Sequence, residues 1–361
     1  MIRVLIAEDS VTIRELLVTV LRADPEIEIV GTVKNGRDAI QQVKRLRPDV
    51  VTMDVNMPEL DGFEATKRIM IETPTPIVII SASVDVRDVK ISMNALCAGA
   101  LALLEKPPGM DSPHFKEAIA HLISTVKAMA GVKVIRHWPM RAVPQRSPRA
   151  ANTPPSAQVR GIAVAASTGG PAALARILGD LPAQFPVPIL IVQHITGGFV
   201  DGLASWLNTA CALKVQVAKN GDPLAPSTVY LAGDGAHMGV SPNSRIKLDD
   251  ARPINGFRPS ATYLFESVGK VFGPSAVAVI LTGMGQDGVE GLRAVRTTGG
   301  RVVAQDESSS IVFGMPGAAI AQGLVDNVLP VYSIGEWLTA MVADTRTTKN
   351  EEGPHGPHSN R

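Results

Sequence analysis

Three residues in the C-terminal half of this chain could carry out acyl transfer together. Ser167 follows the apolar run "GIAVAA", His194 follows "PILIVQ", and Asp287 lies in "LTGMGQDG" just past "AVAVI". A serine hydroxyl is a weak nucleophile at neutral pH and needs a base within hydrogen-bond reach. The base in turn needs a partner that fixes its tautomer and stabilises its cation. Hydroxyl, imidazole and carboxylate suit those roles, and their order along the chain is no objection, because such triads are defined by geometry.

A second group lies in the N-terminal half. Glu8 and Asp9 stand in "AEDS", Asp54 in "MDVNMPELDG", Ser81 in "IISAS" and Lys106 in "EKP". Three carboxylates packed together repel unless a cation neutralises them. Oxygen ligands without His or Cys favour Mg²⁺, which keeps several waters. A lysine and a hydroxyl beside that ion would suit the oxygens of a phosphoryl group.

Both groups depend on elements that bring distant residues to one place. "RVLIA", "DVVTMDV", "PIVIISA" and "ALALLEK" form apolar runs separated by helical patterns such as "FEATKRIMIE", "DVRDVKISMNALCAG" and a last helix over 112–130. A second series begins at "GIAVAAS" and continues through "PILIVQ", "KVQVA", "TVYLAG", "AVAVILTG" and "RVVAQD", with a hairpin expected around Pro242, Asn243 and Ser244. This alternation predicts an α/β fold with two doubly wound parallel-sheet domains. In such sheets the carboxyl ends of the strands share one edge, where ligands bind. The expected boundaries are 1–130, a proline-rich linker over 131–158, a second domain over 159–344, and a polar, patternless tail over 345–361. His355 and His358 in that tail lack further metal-ligand partners.

Composition narrows the classes. Of 361 residues, 35 are basic and 34 acidic, giving a formal net charge of +1, with no reason to expect nucleic-acid binding. The only two cysteines, Cys97 and Cys211, lie far apart without CxxC spacing, which fits a reducing cytosol. No apolar run approaches the roughly 18–20 residues needed to cross a bilayer. A cytoplasmic protein without direct membrane insertion is expected. One rival reading remains on the residues alone. "GMGQDG", 283–288, spells G-x-G-x-x-G after an apolar strand, and Asp306 follows about 20 residues on, most of a dinucleotide fingerprint. That pattern supports a phosphorylation-controlled nucleotide-binding module without hydrolysis.

The four N-terminal motifs, in that order and spacing over about residues 1–125, resemble a response-regulator receiver domain of flavodoxin-like fold. The resemblance implies that Asp54 accepts phosphate from a cognate histidine kinase, that Glu8, Asp9 and Asp54 hold Mg²⁺, and that Ser81 and Lys106 sense the phosphoryl group. Leu103 departs from the aromatic residue that many receivers carry three positions before the lysine. "AASTGGPAAL", "IVQHITGGF", "FRPSATYLFESV", "ILTGMGQDGVEGL" and "VVAQDESSSIVFGMPGAAI", over 161–340, resemble the Rossmann-like catalytic domain of chemotaxis-type protein-glutamate methylesterases. Five ordered blocks outweigh one glycine pattern. The resemblance implies a nucleophile at Ser167, a base at His194 and its orienting partner at Asp287, with oxyanion donors near Thr168 and Met284. It further implies no cofactor in that domain and a methylated chemoreceptor-type protein as substrate, with deamidation of glutamine as a related reaction. Phe257 stands where relatives often have histidine.

Overall fold

The computed structural model describes residues 1–81, 94–96, 98–132, 134 and 158–347. Two parallel sheets follow one another along the chain. The first contains β1 (Ile2–Ala7), β2 (Ile27–Val33), β3 (Val50–Asp54), β4 (Ile77–Ser81) and β5 (Ala102–Glu105), in the order β2-β1-β3-β4-β5. Every residue of β3 and β4 is buried, whereas β2 at the edge is mixed. Strands covered on both faces must be continuously apolar, which is why the inner strands are plain in the sequence. Helices α1 (Val11–Arg22), α2 (Gly36–Leu46), α3 (Gly62–Glu72) and α4 (Phe115–Ala130) accompany this sheet. Ser10, Asn35 and Asp61 cap the first three, each side chain accepting from a backbone N–H in the first turn.

The second sheet orders its strands β14-β13-β12-β6-β7-β9-β8, all parallel. They are β6 (Gly161–Ala166), β7 (Ile189–Gln193), β8 (Lys214–Val217), β9 (Thr228–Leu231), β12 (Ala276–Ile280), β13 (Arg301–Gln305) and β14 (Asn327–Leu329). Between β9 and β12, β10 (His237–Val240) and β11 (Ile246–Asp249) form the expected antiparallel hairpin. Helices α5 (Gly170–Gly179), α6 (Val200–Ala210), α7 (Ala261–Phe272), α8 (Val289–Thr297), α9 (Met315–Ala321) and α10 (Val331–Thr347) complete this part. The short edge strand β14 was not anticipated: three partly exposed residues carry too little pattern. Helix α10 runs three residues past the expected boundary at 344. Most of the helix expected over 85–99, Cys97, nearly all of the linker and residues 348–361 lie outside the described residues.

The two parts touch through β5 and the helical segment before it. Thr196 Oγ1 donates to the Leu103 carbonyl oxygen at 2.6 Å, and Trp206 Nε1 donates to Asn94 Oδ1 at 3.1 Å. Ile311 also packs against the apolar cluster that contains Leu122, Val126 and Met129 of α4.

One close approach fixes the end of β3. A Cβ at Gly62 would lie 2.1 Å from the Asp54 carbonyl oxygen. Gly62→Ala is therefore expected to destabilise the N-terminal domain by about 1–3 kcal/mol, as overpacking typically does. Scanning calorimetry should show its transition moving down while that of the C-terminal domain stays in place.

Candidate active site

Strands β12, β6 and β7 are neighbours at the centre of the second sheet, where the strand order reverses. Their pairing continues past the strand ends. Ser167 N donates to the Thr282 carbonyl oxygen at 3.0 Å, and His194 N donates to that of Ala166 at 2.9 Å. Ser167, His194 and the loop carrying Asp287 are thereby held on one edge, although they span 120 positions of sequence.

His194 Nε2 lies 2.9 Å from Asp287 Oδ2. An ionised carboxylate only accepts, so Nε2 carries the proton and the basic lone pair is on Nδ1. That nitrogen is buried with no hydrogen-bond partner among the described residues. Ser167 and His194 line the same cavity of about 740 Å³, but their side chains are not hydrogen-bonded to each other in this arrangement. Such links commonly tighten only when substrate binds. Phe257 stacks on His194 at 4.3 Å between ring centroids and 13° between planes, so it fixes the imidazole plane.

The Asp287 side chain is 1% exposed. Burial pushes its pKa up, but hydrogen bonds from His194, Ser260 and Ala261 outweigh that and hold it at about 2. Ser260 Oγ donates to Oδ1 at 2.7 Å and Ala261 N to Oδ2 at 2.7 Å; Thr262 N, Thr262 Oγ1 and Gly288 N add further bonds. The carboxylate thus sits on the N-terminus of α7, where a negative charge is favoured. Behind it, fully buried His237 accepts from Ser260 N at Nδ1, which leaves Nε2 to donate to the Arg252 carbonyl oxygen.

At the carboxyl edge of the first sheet, ligand atoms of Glu8, Asp9 and Asp54 lie within 4.8 Å of one another and could hold a metal ion. Lys106 Nζ is 2.9 Å from Glu8 Oε1 and 3.0 Å from Asp54 Oδ2. Burial pushes the Glu8 and Asp54 carboxyls up. Burial also works against the Lys106 ammonium, but the two carboxylates overcome it and raise its pKa. Ser81 Oγ is buried and unpartnered among the described residues. The donor set is all oxygen, with an orphaned hydroxyl on the neighbouring strand end, which fits Mg²⁺ and a phosphoryl group.

Comparison with known proteins bears on both halves. Residues 162–338 match the family model described as CheB methylesterase, and residues 4–119 match that of the response regulator receiver domain. The protein-glutamate methylesterase/protein-glutamine glutaminase 4 of Myxococcus xanthus (strain DK1622) is 52% identical, across 94% of this chain and 96% of its own. A similarly named protein of Anaeromyxobacter dehalogenans (strain 2CP-C) is also 52% identical, across 94% and 98%. The crystal structure of the Thermotoga maritima CheB methylesterase catalytic domain matches with a TM-score of 0.50 at 38% identity, over 52% of this chain and 100% of that one. The chain belongs to the CheB methylesterase family.

As a CheB-family methylesterase with a receiver domain, the protein has little use for the dinucleotide reading, and the geometry agrees. Asp306 accepts from Ser308 Oγ, Ser309 N and Ser309 Oγ, so it closes its own loop. Gly288 N, at the start of α8, is already bound by Asp287 and Thr262. The glycines of 283–288 answer local backbone needs instead: a Cβ at Gly283 would lie 2.7 Å from Ser167 Cβ, and Gly285 and Gly288 take positive φ of 84° and 94°. Sequence reasoning missed Ser260, Thr262 and His237. The first two lie in "FRPSATYLFESV" and carried the signal of an N-cap; a lone histidine in a hairpin carried none.

Because Asp287 is held near 2 instead of 3.8, its contribution to stability is complete above about pH 4 and is lost as pH falls through about 2. The shift corresponds to on the order of 2 kcal/mol. Urea titrations of wild type and Asp287→Asn should differ by at least this at neutral pH, with the gap narrowing as pH falls from about 4 toward 2. A gap of constant size across that window would contradict the assignment.

Proposed function

We propose that this CheB-family enzyme hydrolyses glutamyl methyl esters on a methylated chemoreceptor-type protein in the cytoplasm, under control of phosphorylation at Asp54 by a cognate histidine kinase. The observation that carries the reading is the His194–Asp287 pair, with Nδ1 of His194 free, in one cavity with Ser167. His194 Nδ1 takes the Ser167 proton as Oγ attacks the γ-carbonyl carbon. The resulting oxyanion is received by the N–H groups of Thr168 and Met284. Collapse expels the methoxy group, which takes the proton from His194 and leaves as methanol. Water, deprotonated by His194, then attacks the acyl carbon, and Ser167 departs with the proton to leave a glutamate. Deamidation of glutamine follows the same acyl route with ammonia leaving; the glutaminase in the relatives' names supports it. The chemistry uses no metal in this domain.

Control is supported by what roofs the cavity. Its walls include Leu103, Leu104, Ser124 and Ala128 of the first domain opposite Ser167 and His194. On this reading β5 and α4 stand in the path of a methylated receptor segment. Glu8, Asp9 and Asp54 would hold Mg²⁺, which offsets their charge and that of an incoming phosphoryl group. Lys106 then exchanges carboxylate partners for phosphoryl oxygens, and Ser81 Oγ gains an acceptor. Leu103 lies on β5 three residues before Lys106, which follows the strand's end, and its carbonyl oxygen is clasped by Thr196. A backbone clasp of this kind does not need an aromatic ring at 103. No helix among the described residues is long and apolar enough to cross a membrane, and with balanced charge no nucleic-acid partner is proposed.

Methanol release from a methylated receptor tests the reading. Ser167→Ala should lower it by at least about 10³-fold, and a phosphodonor with Mg²⁺ should raise it in wild type but not in Asp54→Asn. Thr196→Val, which removes the clasp, should raise unphosphorylated release about fivefold, the worth of one hydrogen bond. Full activity in Ser167→Ala would contradict the mechanism.

A further inference from the structure

Gln193 ends β7 and is 5% exposed. Its amide reaches under the nucleophile turn: Nε2 donates to the Ser167 carbonyl oxygen at 2.8 Å and to the His194 carbonyl oxygen at 2.8 Å. Both partners only accept, so the NH₂ group must face them and both of its hydrogens are used. Oε1 is buried without a hydrogen-bond partner among the described residues. It lies against Gly170, where a Cβ would come within 2.0 Å of it, so only glycine admits the amide there.

The bond to Ser167 acts on the neighbouring residue. A peptide unit is planar, so the Ser167 C=O and the Thr168 N–H are opposite ends of one rigid group. The same oxygen also accepts from Gly170 N at 2.8 Å. Two donors on one carbonyl fix the tilt of the plane and polarise it, which makes the N–H at its other end a stronger donor. The arrangement recurs at Met284. There the preceding carbonyl oxygen, that of Gly283, accepts from Gly314 N at 3.1 Å and Met315 N at 2.9 Å. Neither Thr168 N–H nor Met284 N–H donates to any other group among the described residues. Of the four donors behind these two peptides, three are backbone amides, and Gln193 is the side chain.

We infer that Gln193 is a positioning residue for ester hydrolysis, holding and polarising the Ser167–Thr168 peptide so that the Thr168 N–H meets the oxyanion as it forms. This rests on the reading of Ser167 as nucleophile. Gln193 touches no reacting atom; it acts through the peptide, and its second bond ties the base's residue to the nucleophile's.

Full-length Gln193→Met keeps the length of the side chain and removes both donors, while Gln193→Asn keeps the amide one methylene out of reach. Steady-state methanol release from a methylated receptor should show kcat lowered about 10- to 100-fold in each, less than or equal to the loss of an oxyanion donor itself. KM should stay within about twofold, and the pH midpoint of kcat/KM should not move, because the bond between the His194 imidazole and Asp287 is not among those removed. Wild-type kcat in either folded variant, a displaced pH midpoint, or a kcat loss matched by a collapse in thermal midpoint would overturn the proposal. If Gln193→Met does not fold, Gln193→Asn decides alone. Ser167→Ala in the same assay separates the two readings. An active Ser167→Ala overturns both, whereas an inactive one beside unimpaired Gln193 variants overturns only the role of Gln193.

Discussion

Asp287 carries a charge taken out of water, and such a charge persists only where hydrogen-bond donors replace the solvent. Much of the second domain's local structure meets that requirement. The N-terminus of α7 supplies two backbone amides, Ser260 and Thr262 supply hydroxyls, and His194 supplies Nε2–H. The hairpin contributes indirectly, since His237 holds the Ser260 amide. The network orients the His194 imidazole as a by-product of satisfying the carboxylate. It leaves His194 Nδ1 without a hydrogen-bond partner among the described residues.

The same principle of sheet geometry is used twice. In each domain the strand order reverses near the centre, and side chains that follow neighbouring strands converge at that edge. One edge gathers a hydroxyl, an imidazole and a carboxylate; the other gathers three carboxylates, a lysine and a hydroxyl. The second edge is linked to the first by β5, which carries Leu103 into the cavity wall and ends beside Lys106. In the proposed control, coupling runs through this short stretch of backbone where the two domains meet.

The central strands were legible because strands buried on both faces are largely apolar, as β3, β4, β6, β7 and β12 are. The edge strand β14, with its partly exposed residues, had no such signature. Ser167, His194 and Asp287 were legible because reactive residue types stood directly after apolar runs. Gln193 and His237 were not, since their effect lies in bonds to backbone atoms whose positions the sequence does not spell out. The glycine fingerprint is ambiguous for a physical reason: it reports that backbones approach closely, not what they approach. Here Gly283 approaches Ser167.

The central claim is that Ser167 is an activated nucleophile beneath a cover formed by the first domain. A fluorophosphonate that phosphonylates activated serines tests this directly, with the site read by peptide mass spectrometry. The account predicts one modified residue, Ser167, labelled slowly in the unphosphorylated chain and faster once beryllofluoride and Mg²⁺ occupy the Asp54 site. Labelling at another serine, or none at Ser167 in either state, would contradict the nucleophile. Equal rates in both states would contradict the cover.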